Sequence, residues 1–260
     1  MLRVRTLFLS DVHLGVPECQ AERLARLLAD YRADYLYLLG DIVDLQAMQR
    51  RVCWTAAQNA VMHMLLEQAR AGVRVTFVPG NHDAPLRAYD GGSFGQVRVR
   101  REAVHHGADG ARYLLLHGDR FDDLTRFHRW VAWAGDLGYR CLNRGSHALS
   151  AVRRALGRED HWSLAATVKR RLPGAVHFVR DFEQSAARHA ALLGFDGIVC
   201  GHIHVPALKD LEGVRYRNCG DWVDSASALV EWQDGRMELR FAPPLPAARQ
   251  RRARLRALAS

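Results

Sequence analysis

Cysteine is scarce in this chain and follows no pattern. The five cysteines, Cys19, Cys53, Cys141, Cys200 and Cys219, are odd in number, scattered, and form no Cys-x-x-Cys pair. That spacing argues against a disulfide framework and against a cysteine-rich zinc site, and free thiols suit a reducing cytosol. No apolar run approaches the roughly 20 residues needed to cross a bilayer. The N-terminus passes directly into the apolar stretch from Thr6 to Leu9, which leaves no room for a removable leader and points to a cytoplasmic protein. No internal repeat is apparent. A recognisable nucleic-acid-binding module or basic-aromatic stacking pattern is also missing, so no specific nucleic-acid partner is expected.

With 260 residues, 48% hydrophobic and 25% charged, the composition is that of an ordinary soluble globular protein able to bury a full core. One compact domain with an insertion is expected. The formal charge of +9 implies attraction to something anionic: a phosphorylated substrate, a nucleic acid or an anionic membrane surface.

The most informative pattern is a set of five short apolar runs, each broken by a residue able to bind metal. Asp11-Val12-His13 follows Leu7-Phe8-Leu9, and Gly40-Asp41 follows Tyr35 to Leu39. Gly80-Asn81-His82-Asp83 follows Val73 to Val78, His117-Gly118-Asp119 follows Tyr113 to Leu116, and Gly201-His202-Ile203-His204 follows Ile198 to Cys200. Buried strands read as apolar runs of this length, and ligands in layered α/β proteins collect where such strands end. One rim could therefore gather Asp11, His13, Asp41, Asn81, His117, His202 and His204.

Between the runs, Ala21 to Tyr31 and Thr55 to Ala71 carry apolar residues at helical spacing, so strand and helix alternate as in an α/β layered fold. After Val205 the pattern turns β-rich, with Val214 to Arg217, Ser227 to Trp232 and Met237 to Phe241 separated by turn signals. That portion is expected to supply a second sheet and complete a four-layer αββα sandwich. From about 120 to 181 an arginine-rich stretch with an apolar helical stripe interrupts the plan and reads as a helical cap insertion, suited to an amphiphilic phosphorylated substrate. The segment 242–260 opens Ala-Pro-Pro-Leu-Pro and continues with five arginines. It reads as a basic tail, either a solvated terminus or a segment that docks on anionic lipid.

Carboxylate, imidazole and amide donors together make a mixed oxygen and nitrogen set that suits manganese, iron or zinc better than calcium or magnesium. Seven such residues exceed what one ion takes, whereas two ions sharing a carboxylate use them well. Asp41 is the natural bridge, because each of its two oxygens could face a different ion. Two ions in this arrangement clamp a phosphoryl group and generate hydroxide near neutral pH. His82, next to Asn81, could then stabilise phosphoryl charge or protonate a leaving group, with Asp83 or another carboxylate orienting it.

The ordered motifs Asp11-x-His13, Gly40-Asp41, Gly80-Asn81-His82-Asp83, His117-Gly118-Asp119 and Gly201-His202-x-His204 resemble those of the calcineurin-like metallophosphoesterase superfamily. The resemblance implies that 1–241 is a metallophosphoesterase domain. It also implies one ion on Asp11, His13, Asp41 and His204, a second on Asp41, Asn81, His117 and His202, and His82 as the catalytic histidine. Ser10 to Gly15, Tyr37 to Asp41 and His202-Ile203-His204-Val205-Pro206 further resemble the UDP-2,3-diacylglucosamine pyrophosphatase group. That likeness implies hydrolysis of a nucleotide-linked lipid to UMP and 2,3-diacylglucosamine 1-phosphate, typically with manganese, by a peripheral enzyme on the inner face of the inner membrane. The best-known members carry Gly-Asn-Arg-Asp at the position of Gly80-Asn81-His82-Asp83, which marks this chain as a divergent sister branch. A soluble nucleotide or other phosphoester is the alternative substrate, and a non-catalytic metal-binding scaffold is the alternative of another class.

Overall fold

The computed structural model describes residues 1–124 and 173–245. Two units divide the chain, residues 1–119 with 186–260, and residues 120–185. In the second unit the described residues form a 3-10 turn, Asp119–Leu124, and the start of a helix, Pro173–Leu192, with the rings of Phe121 and Phe182 meeting edge to face. The expected cap falls mostly on residues outside those described, as does most of the basic tail.

The main unit holds two sheets. In chain order its elements are β1 (Leu2–Leu9), α1 (Ala21–Asp30), β2 (Tyr31–Leu39), α2 (Leu45–Met48), α3 (Ala56–Arg70), β3 (Arg74–Val78), β4 (Ser93–Phe94), β5 (Val97–Val99), β6 (Ala103–His106) and β7 (Arg112–Leu115). The C-terminal part of the Pro173–Leu192 helix, α4, follows, then β8 (Gly197–Cys200), β9 (Ala207–Leu211), β10 (Val214–Asn218), β11 (Ser227–Glu231) and β12 (Met237–Phe241). The first sheet runs β12-β11-β1-β2-β3-β5-β4 and the second β6-β7-β8-β10-β9.

The apolar runs are continuous because these strands are covered on both faces. Alternate residues of one strand enter different cores: Leu7 and Leu9 of β1, with Leu36 and Leu38 of β2, join Leu24, Leu28, Val61 and Leu65 of α1 and α3. Their neighbours Phe8, Tyr37 and Leu39 meet Tyr113, Leu115 and Val199 of the second sheet. That two-residue period places helices on one side of the first sheet and the second sheet on the other. The α3 helix starts where Thr55 accepts from the Gln58 amide while Gln58 accepts in return from the Thr55 amide, a reciprocal cap that satisfies two otherwise open donors.

The C-terminal strands do not make the second sheet by themselves. β11 pairs antiparallel with β1 and carries β12 to the edge of the first sheet, while β9 and β10 join the second sheet through β8. One reason lies in a buried polar cluster. Glu231 at the end of β11 stands opposite Thr6 and accepts from its hydroxyl at 2.6 Å, from the Ala108 amide at 2.8 Å, and lies 2.8 Å from His105 Nε2 on β6. Burial alone would raise the Glu231 carboxyl, but the His105 and Thr6 hydrogen bonds hold it below the usual range. A carboxylate whose folded pKa is depressed stabilises the fold above its unfolded value and loses that contribution as pH falls through the folded one. Glu231→Ala is therefore expected to cost about 3 kcal/mol at neutral pH. Its urea-unfolding free energy should also fall less steeply than the wild type's below the ordinary glutamate range, and an unchanged acid limb would contradict this account.

Candidate metal centre

Each predicted residue lies just beyond the C-terminal end of a strand: Asp11 and His13 after β1, Asp41 after β2, Asn81 after β3, His117 after β7, and His202 and His204 after β8. Three of these strands belong to one sheet and two to the other, so the rim belongs to the sandwich. Parallel pairing of β1, β2 and β3, and of β7 and β8, brings those ends to one side.

The turns are tight and strained. Among the described residues, seven other than glycine have positive φ, and five of them are Asp11 (52°), His13 (53°), Asp41 (53°), His202 (69°) and His204 (56°). Side chains with a Cβ avoid this region at about 1–2 kcal/mol each. Backbone ties between loops hold them there: Asp11 N–H donates to Gly40 O (3.0 Å), His13 N–H to Asp41 O (2.8 Å), Gly201 N–H to His117 O (3.0 Å) and Trp222 N–H to Asp11 O (2.9 Å). Gly201 admits Asp11, since a Cβ there would stand 2.2 Å from Asp11 Oδ2.

Both carboxylates divide their oxygens in the same way. Asp11 Oδ2 accepts from the His202 amide (2.8 Å) and Asp41 Oδ1 from the His82 amide (2.8 Å). That leaves Asp11 Oδ1 3.2 Å from His204 Nε2, and Asp41 Oδ2 3.2 Å from His117 Nε2. His13 Nε2 lies 4.0 Å from each of these oxygens. Asp41 therefore turns a single oxygen, Oδ2, toward both donor sets, a correction to the expected use of one oxygen per ion. Asp11, His13 and His204 form one group of converging donors, and Asp41, His117 and His202 another. Asn81 Oδ1 stands 3.1 Å and His202 Nδ1 3.3 Å from His117 Nε2.

Tautomers show what this convergence requires. His117 Nδ1 faces the Leu39 carbonyl at 2.9 Å, and His13 Nδ1 faces Asp44 Oδ2 at 3.0 Å. Each of those nitrogens carries a proton, so Nε2 is the atom each ring turns toward the carboxylate oxygens. Carboxylate oxygens and imidazole nitrogens converging in a buried site draw a proton or a metal cation between them. Burial lowers the proton affinity of His117, yet Asp41 and Asp11 overcome this and push its pKa up to about 10. His204 likewise holds the Asp11 carboxyl well below the usual range against its burial. Asp11 Oδ1 and His13 Nε2 are buried without a hydrogen bond. Donors of this kind fit divalent transition-metal ions.

The sequence profile described as Calcineurin-like phosphoesterase matches residues 4–206. The chain belongs to the calcineurin-like phosphoesterase family. As a member, it is a metal-dependent phosphoesterase, a hydrolase. Among curated proteins it is similar to the UDP-2,3-diacylglucosamine hydrolase of Aeromonas salmonicida (strain A449), 28% identical over 94% of this chain and 96% of the relative. It is also similar to the enzyme of the same name from Shewanella sp. (strain MR-7), 25% identical over 92% and 98%. Of solved structures, a hypothetical protein from Pyrococcus horikoshii OT3 shares the fold with a TM-score of 0.51 at 10% identity, over 98% of this chain and 93% of that one.

Within this phosphoesterase site the carboxylate beside His82 is Asp44 and not Asp83. Asp83 is fully buried and accepts from the Gly80 amide and, at 2.8 Å, from the Ile42 amide. Its oxygens brace the loop, so the role expected of Asp83 beside His82 belongs to another residue. Asp44 takes that place: Oδ2 meets His13 Nδ1, and Oδ1 lies 3.0 Å from His82 Nδ1. Burial would lower the proton affinity of His82, but Asp44 and Asp41 outweigh it and raise the imidazole above its ordinary value. Asp44 also accepts from the Ala47 amide and so begins α2. The signal was present in Gly40-Asp41-Ile42-Val43-Asp44, where a three-residue spacing returns a second carboxylate to the rim. Asp44→Ala is expected to reduce kcat by about 10- to 100-fold, the usual effect of removing a partner of a ligating histidine. Asp44→Asn should keep the Ala47 cap yet recover little activity.

Proposed function

We propose that this protein hydrolyses the phosphoanhydride of UDP-2,3-diacylglucosamine to UMP and 2,3-diacylglucosamine 1-phosphate. The observation that carries the two-metal hydrolysis in this reading is Asp41 Oδ2, a single carboxylate oxygen turned toward two donor sets at once. Asp11, His13 and His204 would hold one divalent ion, and Asn81, His117 and His202 the other, with Asp41 shared. When bound, such ions polarise the phosphoryl group and supply hydroxide near neutral pH. His82, with Nδ1 against Asp44, keeps Nε2 as the nitrogen from which a proton reaches the leaving phosphate oxygen. The His82 amide meanwhile holds Asp41 Oδ1, so ligand and acid are positioned by one loop.

Relatives bearing the diacylglucosamine hydrolase name match nearly end to end, which supports the lipid substrate. The arginines and apolar stripe of 120–181 suit a diphosphate joined to acyl chains, and the charge of +9 suits an anionic membrane surface on the cytoplasmic side. We take manganese as the metal.

Manganese-loaded protein incubated with UDP-2,3-diacylglucosamine is expected to release UMP, identified by mass spectrometry, far faster than an Asp41→Ala variant. Absence of UMP would remove the lipid substrate. Equal turnover of a simple aryl phosphodiester would favour a soluble phosphodiester or nucleotide instead.

A further inference from the structure

Two loops that meet at the second donor set come from different sheets. Asn81 Oδ1 and His117 Nε2 are 3.1 Å apart beside Asp41 Oδ2. With His117 Nδ1 facing the Leu39 carbonyl, Nε2 is the ring nitrogen left to face both oxygens. How closely these three atoms are spaced decides how well they close on one ion. The loop of Asn81 is fastened to the β2 side by the His82 amide on Asp41 and by Asp83 on Ile42. Neither bond fastens it to the loop of His117.

Arg87 does. It lies in the 3-10 turn Ala84–Tyr89, directly after Gly80-Asn81-His82-Asp83. Its Nε and Nη2 both reach back to the Pro79 carbonyl at 3.3 Å, immediately before that motif. The same Nη2 donates to Asp119 Oδ1 at 2.9 Å and to Oδ2 at 2.8 Å, two residues beyond His117. Both side chains are mostly sheltered, at 32% and 23% exposure, so solvent screens the pair less than an open surface bridge.

We infer that Arg87 and Asp119 form a clasp that fixes the spacing of Asn81 and His117, and so sets the affinity of the second metal position without touching metal or substrate. This rests on the reading of Asp41, Asn81, His117 and His202 as one metal site. The guanidinium suits the task because its planar fork serves a carboxylate and a carbonyl together, which an ammonium does in a less fixed geometry. Both are positioning residues.

The test is manganese binding to the metal-free protein, read from the electron paramagnetic resonance signal of free Mn2+, with no turnover required. Wild type is expected to take up two ions. Arg87→Gln and Asp119→Asn should each weaken one of the two by about 10- to 100-fold and leave the other within about threefold, as loss of a supporting partner does. The double variant should bind no worse than either single one, because both changes open the same clasp. Arg87→Lys should restore part of the lost affinity. Thermal unfolding of each protein identifies a variant that fails to fold, and the isosteric Asp119→Asn then carries the test. Two ions in wild type with unchanged affinities in Asp119→Asn would overturn the clasp alone. So would an unchanged affinity with a raised KM for an aryl phosphodiester, which would make Arg87 a substrate contact. A wild type that binds fewer than two ions would overturn the metal site itself, and the clasp with it.

Discussion

Asp41→Ala is expected to lower kcat on any phosphoester by at least about 10³-fold while the protein still folds. The expectation rests on the division of labour between the carboxylate oxygens. Asp41 Oδ1 is occupied by the His82 amide at 2.8 Å, and Oδ2 is turned toward both His117 and His13. Removing the side chain takes the shared ligand from both donor sets and frees the loop that carries His82. Asp41→Asn separates these effects. An amide oxygen still accepts from His82 N–H, but the NH2 then faces the centre, where its hydrogens meet a cation. Both variants should thus be inactive, with Asp41→Asn closer to the wild type in thermal unfolding. Turnover in Asp41→Asn within about tenfold of wild type would mean that the shared oxygen is not needed for the reaction.

The strand ends were legible because they are a local pattern. A both-faces-buried strand has to be written as a continuous apolar run, and its breakdown at Asp11, Asp41, Asn81, His117 and His202 is visible without knowing what pairs with what. All seven predicted ligands gather on one rim for that reason. Pairing between distant strands has no comparable signature. Nothing local in Ser227–Glu231 places it beside β1 instead of in the second sheet; that depends on Glu231 meeting Thr6 and His105 across the core. The short strands β4, β5 and β6 were likewise hidden, since two to four residues carry too little periodicity.

Which carboxylate stands beside His82 was left open by the sequence for a related reason. Asp83 is adjacent in sequence, but adjacency does not establish a hydrogen bond. A bonded neighbour points its side chain elsewhere, and Asp83 turns into the loop to collect amides from Gly80 and Ile42. Asp44 reaches His82 from a different strand's loop, because the His82 amide on Asp41 and Asp83 on the Ile42 amide hold the loops after β2 and β3 together. Orientation within the site is thus a property of loop packing, which motif spacing states only in part.

Gly40→Ala is expected to destabilise the fold by about 2–4 kcal/mol and to weaken metal binding with it. Two costs meet at this position. Gly40 has φ of 81°, where a Cβ strains the backbone by about 1–2 kcal/mol. A Cβ would also stand 2.2 Å from His117 Nδ1, the nitrogen that faces the Leu39 carbonyl at 2.9 Å. His117 would have to leave that carbonyl, losing the bond that fixes its tautomer and turning Nε2 away from Asp41. Gly72→Ala isolates the first cost, because Gly72 has φ of 91° with nothing within 4 Å of an added Cβ. Urea unfolding should show about 1–2 kcal/mol for Gly72→Ala and about twice that for Gly40→Ala, and only the latter should lose affinity for manganese. Equal destabilisation in the two would leave backbone strain as the whole effect. The packing of His117 against Gly40 would then have no part in holding the site.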